Sequence, residues 1–210
     1  MGRINLCSCS TAILLLGFSS CTPKETQVLL EPSHALGTVL AEETVRAAGT
    51  KKRITIISPD VNWGPASTVE EAFRVALKKQ GVSVVATKTA NLGDPMRSGP
   101  VGLKSVDFFD AMKSAVGAGA VVSFVGAPLL APGEEARLNP DHPPVLVVAT
   151  TMLGSVPGVA TPRMQLARML DAGTIQVAFI DGTEPTGQAA DKTDAAHELF
   201  AKHYRQLRRP

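Results

Sequence analysis

Five short apolar runs rich in β-branched residues alternate along this chain with stretches whose apolar residues recur at helical spacing. The runs are Arg53 to Ser58, Val82 to Thr87, Ala120 to Val125, Pro144 to Ala149 and Thr174 to Ile180. Strands buried on both faces read as near-continuous apolar runs, and parallel neighbours among them need helical crossovers. The pattern therefore predicts an α/β lobe, a doubly wound and mostly parallel five-stranded sheet with helices on both faces. For such a set the expected strand order is 2-1-3-4-5, and a ligand crevice lies beyond the carboxyl ends of strands one and three.

The intervening segments carry helix signals. His34 to Ala48 is periodic and stops at Gly49. Ser67 and Glu70 have the spacing of a capping box, with Val69, Phe73, Ala76 and Leu77 on one face and Gly81 as the stop. Val106, Phe109, Met112 and Val116 mark the inward face of a helix over Ser105 to Val116. Thr161 followed by Pro162 reads as an N-cap with proline at the first helical position, and Leu166, Met169 and Leu170 follow as its apolar face. The last helix is expected from about Asp191 to Leu207, docking Ala196, Phe200 and Leu207.

The first residues predict an address. Arg3 supplies a charged start, Thr11 to Phe18 an apolar run, and Ser19, Ser20 and Cys21 resemble the end of a bacterial lipobox, whose cysteine is lipidated after cleavage. The apolar run is well short of the roughly 20 residues that span a bilayer. The expected organisation is a signal peptide over 1–21, a tether over 22–33 and a single α/β domain over 34–210, held at the envelope membrane through Cys21 and facing the periplasm; the alternative is an ordinary secretory signal that releases the domain to the periplasm. Cys7 and Cys9 leave with the signal, so the mature domain has no cysteine for a disulfide, a metal or a nucleophile. A formal net charge of +2 across 210 residues, with no basic stripe, gives no support to nucleic-acid binding.

The loop Asp60-Val61-Asn62-Trp63-Gly64 follows the first strand at the expected crevice. It joins a carboxylate and an amide to the chain's only tryptophan, a combination able to stack a ring and hydrogen-bond its substituents. Turn chemistry alone also explains Asp60 and Asn62. Asp181 and Thr183 after the fifth run, with Thr150 and Thr151 after the fourth, fall on the same rim. Asp60, Asn62, Trp63 and Asp181 are thus the candidate ligand-binding residues, and Cys21 the candidate lipidation site. Gly117 and Gly119 follow a helix and lack a third glycine, so they make no dinucleotide fingerprint. Ser155 directly follows Gly154, which is not the arrangement of a nucleophile elbow. His197 and His203 are too far apart on one helix to act as paired ligands, so no metal, cofactor or catalytic residue is expected.

From Ala35 to Val85 the chain is similar to the opening of one lobe of the type I periplasmic sugar-binding proteins of ABC transporters. The likeness is carried by a leading helix (LAEETVRAAG), a turn at Lys51 and Lys52, the strand ITIIS and then EEAFRVALKKQGVSVV. Ser105 to Val125 continues it as a helix and a strand. The resemblance implies a Rossmann-like single lobe outside the cytoplasm. The family closes two lobes on a ligand, while this chain has length for one, and Val69 and Gly126 stand where the family often has charged residues. The expectation is a non-enzymatic envelope lipoprotein that binds a small polar ligand such as a sugar. The alternative is a degenerate lobe that docks an envelope partner protein, and a homodimer would supply the missing second lobe.

Overall fold

The structure is a computed structural model that describes residues 24–60, 65–91, 102–150, 163–182 and 195–209. In chain order its elements are α1 (Lys24–Ala48), β1 (Arg53–Pro59), α2 (Pro65–Lys79), β2 (Ser83–Ala90), β3 (Leu103–Lys104) and α3 (Ser105–Ser114). They continue with β4 (Ala120–Ser123), β5 (Pro128–Leu129), a 3-10 turn over Glu134–Arg137, β6 (Val145–Ala149), α4 (Arg163–Asp171) and β7 (Val177–Asp181). The last two are α5 (Ala195–His203) and β8 (Tyr204–Arg208).

The main sheet has six strands in the order β2-β1-β4-β6-β7-β8. Its first five are parallel and reproduce the expected 2-1-3-4-5 order. Residues alternate between its two faces, as the period of a strand requires. Ile54 and Ile56 of β1, Val122 of β4, Leu146 and Val148 of β6 and Phe179 of β7 share a core with Leu36, Leu40, Phe73 and Leu77 of α1 and α2. Ile57, Val121, Val145, Val147 and Ala178 point the other way, into a core with Phe108 and Met112 of α3 and Leu166 and Met169 of α4. Phe73 and Phe124 meet edge to face with ring centroids 5.3 Å apart, closing the first core at the end of β4.

Four expectations are corrected. The helix read over Ser105 to Val116 ends at Ser114, and its inward face is Phe108, Phe109, Ala111 and Met112, with Val106 and Val116 exposed. The last helix ends at His203, and Tyr204 to Arg208 forms an antiparallel sixth strand with Leu207 opposite Ala178. An edge strand with one neighbour needs no continuous apolar run, so Tyr-Arg-Gln-Leu-Arg does not announce itself as a strand. The first helix starts at Lys24 rather than His34, within the segment read as a tether, and contains Pro32. Proline there removes one backbone donor, and the burial of Ser33, Ala35, Leu36, Val39 and Leu40 compensates. Finally, α2 begins at Pro65, so Glu70 lies beyond the capping position expected for it. The two-residue strands β3 and β5 pair as a separate small sheet, which no periodicity could show.

Candidate functional site

The carboxyl ends of the parallel strands make one rim. Ala90 ends β2, Asp60 follows β1, Ser123 ends β4, Thr150 follows β6 and Asp181 ends β7. The strand order reverses between β1 and β4, whose first connections leave in opposite directions along the sheet, so this is the part of the rim where a doubly wound sheet opens a crevice.

Asp60 is exposed at that point, and its backbone N–H donates to the Ala90 carbonyl at 3.2 Å. Immediately before it, Ser58 is buried and its hydroxyl donates to Glu70 Oε2 at 2.7 Å. Arg74 Nε donates to Glu70 Oε1 at 2.8 Å, and Arg74 Nη2 donates to Thr87 Oγ1 on β2 at 3.0 Å. The residues Ser58, Glu70, Arg74 and Thr87 thus tie the end of β1 to α2 and β2. This support was missed from the sequence, where Glu70 was assigned to a helix cap. The i, i+4 spacing of Glu70 and Arg74 was the available signal.

On β4 the Ser123 hydroxyl donates to the Gly126 carbonyl at 2.6 Å, and Gly126 takes φ +82° to complete the turn. A side chain at Gly126 would sit in the left-handed region that favours glycine. Thr150 is buried, and its hydroxyl has no hydrogen-bond partner among the described residues.

Asp181 belongs to a different neighbourhood. It stands opposite Tyr204 in the β7–β8 register. Burial pushes the Tyr204 phenol above its ordinary 10.0, and the Asp181 carboxylate pushes it the same way. The Ser33 hydroxyl acts in the opposite direction from beside the phenol, without the geometry of a full hydrogen bond. Between Asp60 and Asp181 lie three strand spacings, about 14 Å across the sheet. The structure therefore does not bring Asp60 and Asp181 together around one small molecule. Cys21, Asn62, Trp63, Thr151 and Thr183 lie outside the described residues.

Among the described residues no group of three or more His, Cys, Asp or Glu is placed to hold a metal, and no helix is long and apolar enough to cross a membrane. His197 pairs with Glu42 of α1 at 2.9 Å. A cavity of about 480 Å³ opens at the opposite, amino end of the sheet and not at this rim.

No protein-family model matches the sequence, and no curated protein does. Solved structures similar in fold include a periplasmic ribose ABC transporter protein from Conexibacter woesei, at 14% identity and a TM-score of 0.46 over 70% of this chain and 45% of that one. A solute-binding protein from Burkholderia graminis in complex with D-arabinose is similar at 16% identity and a TM-score of 0.48, over 70% of this chain and 47% of that one. One from Actinobacillus succinogenes with bound D-allose is similar at 13% identity and a TM-score of 0.46, over 71% and 47%. The chain spans about half the length of these proteins.

Proposed function

We propose that this chain is a lipid-anchored protein of the bacterial envelope, held through Cys21 and facing the periplasm, whose single lobe binds a small polar ligand such as a sugar. The observation that carries the binding reading is the exposed Asp60 beyond β1, at the reversal of strand order, on a strand end braced by Ser58, Glu70 and Arg74. A carboxylate on a fixed backbone accepts paired hydroxyl donors, and Asn62 and Trp63 stand two and three positions on in sequence. Asp181 is left to its place beside Tyr204.

The test is a titration of the full chain with sugars, nucleosides, amino acids and polyamines while Trp63 fluorescence is followed. A saturable change that disappears in Asp60→Ala is expected. Silence across the whole panel from a folded chain overturns the small-ligand reading and favours docking to an envelope partner. Lipidation is tested separately, by incorporation of labelled fatty acid into the chain and its loss in Cys21→Ser.

A further inference from the structure

The cavity at the amino end of the sheet is independent of the rim. Lys51 precedes β1, Gly119 precedes β4, and Pro143 and Pro144 precede β6, so the cavity is built where these strands begin. Its volume of about 480 Å³ lies within the range of small-molecule sites.

The floor is apolar. Phe109 and Met112 come from α3, and Val116 stands beyond the helix end with 86% of its surface in water. Over the Phe109 ring lies the Arg137 guanidinium, 4.2 Å from the centroid, held from the side by Glu134 at 3.0 Å. A guanidinium already stacked on one ring offers its other plane to a second flat group.

The charge is lopsided. Lys51, Lys113 and Arg137 face the cavity against one carboxylate, Asp141. Lys113 pairs with Asp110 at 3.0 Å in the last turn of α3, where it also offsets the partial negative charge of the helix end. Arg137 is committed to Glu134 and Phe109. The Lys51 ammonium has no hydrogen bond or ion pair among the described residues, yet its backbone is fixed. A Cβ at Gly119 would meet the Lys51 Cβ at 2.9 Å and Ala48 Cβ at 2.8 Å, so only glycine admits this approach. A positioned, uncommitted cation beside an apolar floor selects for an anion carried on an apolar body.

We infer that the cavity binds a small aromatic carboxylate, its ring packed against Met112, Val116 and the Phe109–Arg137 stack and its carboxylate on Lys51. The site shares no residue with the rim at Asp60.

The experiment uses the full chain and 2-naphthoate, with the uncharged 2-naphthalenemethanol as its control, followed by calorimetry and ligand-observed NMR. Saturable binding of one naphthoate per chain is expected, about tenfold tighter than the alcohol. Lys51→Glu should weaken it by about tenfold or more, and Asp141→Asn should strengthen it, by the sign of the charge removed. Both side chains are exposed, so neither variant threatens the fold. Val116→Glu, at a position already 86% exposed, should weaken binding too. Asp60→Ala should leave it unchanged. Absence of saturation up to about 1 mM overturns the inference. Equal binding of the alcohol, indifference to Lys51→Glu, or loss in Asp60→Ala does the same.

Discussion

Glu43, in the C-terminal half of α1, accepts a hydrogen bond from Arg208 of the last strand at 2.7 Å, joining residues 165 positions apart. The Glu43 side chain is 8% exposed and is also paired with Arg46 one turn on. Ten residues earlier in the same helix Ser33 lies beside Tyr204, and between them Glu42 meets His197 of α5. The middle of the helix that precedes the sheet is therefore held, from Ser33 to Glu43, by α5 and β8.

Arg208→Ala should cost about 0.5–1 kcal/mol, because Arg208 is half exposed and Arg46 still covers the carboxylate. Glu43→Ala strands both arginines and should cost more. Urea unfolding of the two variants measures the difference, and hydrogen exchange of the β8 amides should rise in both.

Gly37→Ala should destabilise by about 1–3 kcal/mol. A Cβ at Gly37 would meet the Val69 carbonyl at 2.5 Å and the Phe73 amide nitrogen at 2.9 Å, so α1 and α2 must separate to admit it. Helix propensity favours alanine by itself, which makes a loss of stability diagnostic of the close backbone approach.

Phe73→Ala removes a fully buried ring from α2 and leaves Phe124 without its edge-to-face partner. The expected cost is about 3–5 kcal/mol by denaturant unfolding. Phe200→Ala, at a ring that is only partly buried and packs beside Phe179, should cost less.

The raised Tyr204 ionisation predicts a fall in stability at high pH. Above 10.0 the unfolded chain gives up the phenol proton while the folded chain retains it, so the folded state loses ground as pH rises toward its own higher value. The contribution is complete below that window. Unfolding at about pH 9 and about pH 11 should show a steeper loss in the parent chain than in Tyr204→Phe. Equal slopes would show that the phenol is not shielded.

What the sequence disclosed follows from burial. Arg53 to Ser58 and Pro144 to Ala149 lie in the middle of the sheet with both faces covered, so their apolar character is continuous and their places were readable. Tyr204 to Arg208 pairs on one side only and carries two arginines, which made it look like the polar end of a helix. The start of α1 was hidden because residues 24–33 were read as part of a tether, whereas the helix runs through Pro32. At the site, Asp60 was placed correctly after β1 because a strand end can be read locally. Its separation from Asp181 was already implied by the expected 2-1-3-4-5 order, which sets strand five three places from strand one, yet the two were grouped because both follow strand ends on one rim.

The clasp of α1 by β8 also sets a timetable. Residues 53–181 contain all five parallel strands, and these can assemble as the chain emerges from the ribosome. The first helix, although made early, finds Arg208 and Tyr204 only after all five of those strands have been made. Until then one flank of the Phe179 core stays uncovered, so a nascent chain stopped before residue 204 should be more prone to proteolysis and to chaperone capture than its strand count suggests.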